Sequence, residues 1–146
     1  MTETELRSWC LSYLHRLGVM AWKNNTGFHI VPETDTTDKR AVRYGDPGSP
    51  DILGILRSQE GRILCIETKV GHNRLSTDQA DWLQRAWDSG AAVAVIFSTE
   101  EMVSYAECGF GSDFWKERLD YHISRARPPK PKKARGRFWR RSIPHR

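Results

Sequence analysis

Seven consecutive apolar residues, Ala91–Phe97 (AAVAVIF), constrain this chain more than any other feature. A run with no polar member fits a strand covered on both faces, not one half in water. Upstream, Asp51–Leu56 and Arg62–Val70 are two further apolar runs, separated by Arg57-Ser58-Gln59-Glu60-Gly61. That is a hairpin signal, with the turn near Glu60-Gly61. Between hairpin and buried strand, Ser76 followed by Gln79 makes a capping box for a helix over Thr77–Ser89. Its apolar residues are Ala80, Leu83, Ala86 and Trp87, and Gly90 closes it. A hairpin, a helix and a buried strand in that order predict an α/β fold, a mixed sheet with the helix as crossover.

The remaining elements are weaker. Leu6, Cys10, Tyr13, Leu14 and Leu17 recur at helical spacing until Gly18, so residues 3–17 read as an amphipathic helix. Val19–Trp22 reads as a short strand. Residues 24–50 are rich in Asn, Thr, Asp, Gly and Pro and read mostly as loop, with a strand at Ala41–Tyr44. So long an irregular stretch in a compact domain points to function. Glu100–Ala106 and Asp113–Ile123 read as short helices. The chain's 146 residues, 38% hydrophobic and 28% charged, suit one soluble domain. No apolar run approaches the roughly 20 residues of a membrane span, and the N-terminus lacks a secretory layout. Three cysteines (Cys10, Cys65, Cys108) without metal-ligand spacing suggest core filler and a reducing, cytoplasmic setting.

Charge divides the chain in two. Residues 125–146 hold ten Lys/Arg and no acid, whereas residues 1–124 hold 13 Lys/Arg against 18 acids, a balance of −5. The expected organisation is therefore a domain over 1–124 and a basic, Pro-rich tail over 125–146. The tail buries almost nothing and is expected to be disordered alone. Lys130, Lys132, Lys133, Arg135, Arg137, Arg140 and Arg141 are its candidate DNA contacts, with Phe138 and Trp139 able to stack on bases or pack on the body. The competing reading is a solubilising tail.

Three polar residues interrupt the apolar hairpin. Asp51 opens one strand, and Glu67 and Lys69 lie two apart on the next, so a period of two puts both on one face. Ile66, Thr68 and Val70 point the other way. Pairing the strands can bring Asp51 beside Glu67, and two carboxylates held together repel unless a proton or cation lies between them. Mg²⁺ suits two carboxylates plus waters and a phosphate. Lys69 can then hold an attacking water or the scissile phosphate. Alone, Glu67-x-Lys69 reads as a solvent-facing ion pair; Pro50-Asp51, 16 residues before Glu67, turns the balance toward a site.

Pro50-Asp51 followed by Glu67-x-Lys69 resembles the signature of the PD-(D/E)xK nuclease superfamily. A wider run is similar to the VRR-NUC group of small phage and bacterial nucleases. It comprises Asn25-Thr26-Gly27, Gly48-Ser49-Pro50-Asp51-Ile52-Leu53-Gly54, Gly61-Arg62, Ile66-Glu67-Thr68-Lys69, Leu75-Ser76-x-x-Gln79-x-x-Trp82-Leu83 and Gly90-Ala91. The resemblance covers about residues 3–98. It implies a restriction-endonuclease-like mixed β-sheet flanked by helices. It also implies Mg²⁺ or Mn²⁺ held by Asp51, Glu67 and the backbone carbonyl of Thr68, with Lys69 as the catalytic lysine. Gln79 matches a glutamine at the active-site edge, although the capping box explains it equally well. A helix-1 glutamate near the metal would be Glu3, which shares a face with the buried leucines, while Glu5 turns outward beside Arg16; a plain surface role for Glu3 stays open.

Arg43, in the long loop with His29, Lys39 and Arg40, can line a DNA groove, and His72 and Arg74 can touch phosphate. A solvated loop is an equal reading for all of them. His15 and His122 read as helix-surface residues. No Gly-rich phosphate loop is present, so no nucleotide cofactor is expected. The expected function is a Mg²⁺-dependent endodeoxyribonuclease. The resemblance implies a homodimer acting on branched DNA such as a Holliday junction, in a bacterial or phage-infected cell. The alternatives are a nuclease nicking or restricting ordinary duplex, a non-catalytic DNA-binding module, and an adaptor whose tail docks acidic partners.

Overall fold

The apolar run forms a strand, Ala92–Ile96, in which every residue is buried. The chain, seen in a computed structural model that describes residues 1–32, 39–129 and 131, contains four helices and six strands among those residues. In order they are α1 (Glu3–Arg16), β1 (Met20–Lys23), β2 (Gly27–Pro32), β3 (Lys39–Tyr44), β4 (Ile52–Leu56), β5 (Arg62–Thr68), α2 (Thr77–Asp88), β6 (Ala92–Ile96), α3 (Thr99–Cys108) and α4 (Asp113–Ser124).

The main sheet runs β1-β4-β5-β6. β4 and β5 pair antiparallel, and β5 and β6 pair parallel. A parallel pair needs a long crossover, which α2 supplies. Alternation along β6 explains its lack of polar residues. Ala92, Ala94 and Ile96 join a core with Leu6, Cys10 and Leu14 of α1 and Met102 and Tyr105 of α3. Val93 and Val95 join a second core with Leu83 of α2 and Leu119 of α4. The expected α/β architecture, a mixed sheet flanked by helices, is what the chain adopts.

The hairpin turn lies where the sequence puts it. A 3-10 turn over Arg57–Gln59 leads into Glu60 at φ 59° and Gly61 at φ 82°, and the Gly61 N–H donates to the Leu56 carbonyl at 2.9 Å. Residues 24–50 depart from the expectation of mostly loop, because β2 and β3 form an antiparallel two-stranded sheet of their own. Turn-forming residues on either side of Phe28–Val31 mask its short apolar pattern. α1 carries a second capping box, in which Thr2 and Glu5 bond reciprocally at 2.8 and 3.1 Å. His15 is exposed, with Nε2 2.7 Å from the Ala21 carbonyl oxygen, whereas His122 is half-buried rather than on the surface. Cys10 and Cys65 are buried as expected, while Cys108 is exposed.

The chain stays attached beyond α4. Ala126 packs against the second core, the Arg127 N–H donates to the Leu75 carbonyl at 2.8 Å, and the Thr77 hydroxyl donates to the Arg127 carbonyl at 2.6 Å. Lys130, Lys132, Lys133, Arg135, Arg137, Phe138, Trp139, Arg140 and Arg141 lie outside the described residues, as do the side chains of His29, Lys39 and Arg40. Among the described residues no helix is long and apolar enough to cross a membrane.

Gly48 connects the segment before β4 to α2. Its φ is +83°, and a Cβ there would meet the backbone of Asp78 in the first turn of α2. Gly48→Ala is expected to destabilise the fold by at least about 1–3 kcal/mol through backbone strain alone. The urea midpoint measures this, and an unchanged midpoint would refute it.

Candidate active site

Strand register brings the two acids together. Ile52 of β4 pairs with Ile66 of β5, so Asp51, one residue before β4, falls across from Glu67. The Asp51 carboxylate caps the end of β5: Oδ2 accepts from the Thr68 N–H at 2.9 Å and from the Thr68 hydroxyl at 2.7 Å. On its other oxygen, Oδ1, the Arg7 guanidinium lies at 3.7 Å. Asn24, just after β1, fixes the corner before it. Its side-chain amide donates to the Ser49 hydroxyl at 2.8 Å and to the Pro50 carbonyl at 2.9 Å, and its N–H donates to the Asp51 carbonyl at 2.8 Å.

Glu67 is only 2% exposed, and Thr68 and Lys69 are buried beside it. Glu67 Oε1 accepts from the Gln79 side-chain amide at 3.1 Å and lies 3.9 Å from Lys69 Nζ. Oε2 is buried with no hydrogen-bond partner among the described residues. Burial, and then the charge of Asp51, push the Glu67 carboxyl up to about 9; Lys69 pulls the other way, while the closeness of the Asp51 side chain and the charge of Glu3 add to the rise. A buried carboxyl pushed up by a second one, with an oxygen unsatisfied, fits an added cation.

Gln79 caps α2 and reaches Glu67 at once. Its amide oxygen accepts from the Ser76 N–H at 2.9 Å, completing the cap, while its amide nitrogen holds Glu67. Glu3, in the first turn of α1, accepts from the Asn73 amide at 3.1 Å and lies near enough to Glu67 to influence its charge. Glu5 is occupied by the Thr2 cap.

The basic candidates divide. His72 and Arg74 are exposed in the loop after β5, close in sequence to Lys69. Arg43 is exposed on β3, in the separate sheet, and is not among the partners of Asp51 or Glu67. Sequence reasoning missed Arg7, Asn24 and Asn73. Arg7 had a usable signal, since it lies one helical turn from Glu3. Asn24 had none, because its partners lie 25 and 26 residues away in the chain.

Among the described residues no group of three or more His, Cys, Asp and Glu side chains could cage an ion. Asp51, Glu67 and the Thr68 carbonyl, completed by water and phosphate, match the way Mg²⁺ is held by few protein ligands. The donor set fits a hard divalent cation.

The Glu67 shift carries a pH signature. Its carboxyl binds a proton more tightly folded than at the ordinary value of 4.5. Stability is therefore greatest below that value and declines as pH rises toward about 9. In EDTA the urea midpoint is expected to fall between roughly pH 5 and pH 9, and Glu67→Gln to flatten that fall. The same decline in the Glu67→Gln protein would refute the assignment.

No curated protein matches the chain. A family model described as "VRR-NUC domain" matches residues 1–100. With that match over most of the chain, and the mixed sheet that carries these residues, the protein belongs to the VRR-NUC nucleases of the PD-(D/E)xK superfamily.

Proposed function

We propose that this chain is a divalent-metal-dependent DNA endonuclease that hydrolyses phosphodiester bonds, with branched DNA as its substrate. One observation carries the reading: Asp51 and Glu67 converge beside Lys69, with a buried Glu67 oxygen left unpartnered. Asp51, Glu67 and the Thr68 carbonyl would hold Mg²⁺ or Mn²⁺. Once bound, such an ion polarises the scissile phosphate and stabilises charge on the leaving oxygen.

The chain's own groups do the rest. Lys69, tethered 3.9 Å from Glu67, directs its ammonium at the attacking water or at a phosphate oxygen. Gln79 fixes Glu67, and the Thr68 N–H and hydroxyl fix Asp51, so neither carboxylate must reorganise when substrate arrives. The first turns of α1 and α2, carrying Glu3 and Gln79, flank the site, and helix N-termini favour phosphate. Arg7, Arg43, His72 and Arg74 supply candidate phosphate contacts on the body. A two-fold homodimer would set two such sites against two strands, as cutting a branch requires.

EDTA is expected to abolish cleavage, Mg²⁺ or Mn²⁺ to restore it, and Ca²⁺ to support binding without turnover, because its coordination is longer and looser. A gel assay with four-way junction, flap, duplex and single strand reads this directly. Full activity in EDTA would sink the mechanism, and equal cutting of plain duplex would sink the branched-DNA assignment. Asp51→Ala and Lys69→Ala should each lose at least about 100-fold in rate while remaining folded. Wild-type cutting by Lys69→Ala would return Lys69 to an ion-pair role.

The tail is proposed to supply long-range attraction that the −5 body lacks. Truncation after Arg127 spares the residues tied to Leu75 and Thr77 and removes eight Lys/Arg. Each phosphate neutralised contributes about −0.9 to the slope of log affinity against log salt. The slope should shrink by several units, with little change in rate at saturating enzyme. An unchanged slope would show that the tail does not contact DNA.

A further inference from the structure

The loop after β5 and the end of α4 enclose a cleft of about 530 Å³ whose aromatic wall the proposed chemistry leaves unused. It is large enough for a nucleotide. One wall is aromatic. Phe97, just after β6, packs on the His122 ring with centroids 4.9 Å apart, and Tyr121 meets His122 edge-on at 5.4 Å. Burial holds the His122 imidazole below its ordinary value. Arg125 lies over the Tyr121 ring at 5.4 Å and donates to its hydroxyl at 2.6 Å, which fixes the ring while 55% of the residue stays exposed.

The other wall is the loop after β5, where His72 and Arg74 face the same space. Leu75 roots this loop in the core, and Asn73 ties it to Glu3 of α1. No acid is among the described residues that line the cleft. Flat apolar rings opposite guanidinium and imidazole match a nucleobase joined to a phosphate.

Position relates this cleft to the acids. The Lys69 N–H bonds the Ile96 carbonyl at 3.0 Å, and Phe97 follows Ile96 directly. His72 lies three residues past Lys69, at most about 11 Å of extended chain. A base inside a duplex is stacked on both sides and offers no face to a protein ring. Only an unpaired base can enter.

We infer that the cleft binds an unpaired nucleotide of the DNA, stacking its base on Tyr121 with His122 against the base's edge, and holding its phosphate with Arg74 and His72. This rests on the DNA-nuclease reading and narrows it. The preferred substrate is a branch with single-stranded nucleotides, such as a flap or splayed end, over a fully paired four-way junction.

The test uses the full chain in EDTA, so that binding is read without cleavage. Probes are a flapped DNA with 2-aminopurine in the flap next to the branch, a paired duplex of equal length, and free dAMP as competitor. The flap should bind about tenfold tighter than the duplex, the gain of one stacked base. Its 2-aminopurine fluorescence should be quenched on binding. Free dAMP at the same concentration should not displace it. Tyr121→Ala and Arg74→Ala each alter an exposed side chain, and folding is checked by the urea midpoint. Both should reduce the flap-to-duplex ratio toward one, and Tyr121→Ala should also abolish the quench. Phe114→Ala, an exposed aromatic on α4 outside the cleft, should leave the ratio as it is. Equal wild-type affinity for flap and duplex, or a ratio and quench untouched by Tyr121→Ala, would overturn the inference. Displacement by equimolar dAMP would overturn it as well, in favour of a free-nucleotide site. Mg²⁺-dependent cleavage is scored separately, so a failed nuclease reading leaves the EDTA ratio legible.

Discussion

Glu67 is a carboxylate held almost dry, with one oxygen lacking a hydrogen-bond partner and Asp51 close enough to raise its proton affinity further. Isolated burial of such a group is strongly unfavourable. The surrounding fold keeps it in place. β5 lies between β4 and β6, with one helical layer over Leu64 and Ile66 and another over Cys65. The interior therefore stores an unmet electrostatic demand that a cation or a proton can satisfy.

Several lines of support converge on the first turn of α2. Ser76 and Gln79 cap each other there, and the free end of the Gln79 amide reaches Glu67. Gly48 packs its backbone against Asp78 in the same turn. Arg127 joins the strand-like segment at Ser76 and bonds Leu75 and Thr77. One helical turn thus meets the Pro-Asp corner, the buried acid and the root of the basic tail. The tail begins against the start of α2, the helix whose Gln79 reaches Glu67.

The sequence was informative wherever a pattern was local. The AAVAVIF run, the Ser76–Gln79 cap and the Glu60-Gly61 turn each state their structure within a few residues, and the sheet order around β5 follows from them. The β2–β3 hairpin escaped because glycine, proline and short polar residues dominate its surroundings. Asn24 and Asn73 escaped for another reason. An asparagine in a loop looks the same whether it faces water or clamps a backbone distant in sequence.

By itself the sequence determined the α/β class, the hairpin that sets Asp51 across from Glu67, and the charge division between body and tail. Each of these depends on residue type and spacing along the chain, which strand period and helix period convert directly into geometry. Tertiary structure alone decided how dry Glu67 becomes, that Gln79 caps and holds it at once, and that Arg7 faces Asp51. It alone set Phe97, Tyr121 and His122 opposite His72 and Arg74. Burial and apposition depend on how separate elements pack, and no single stretch of chain encodes that.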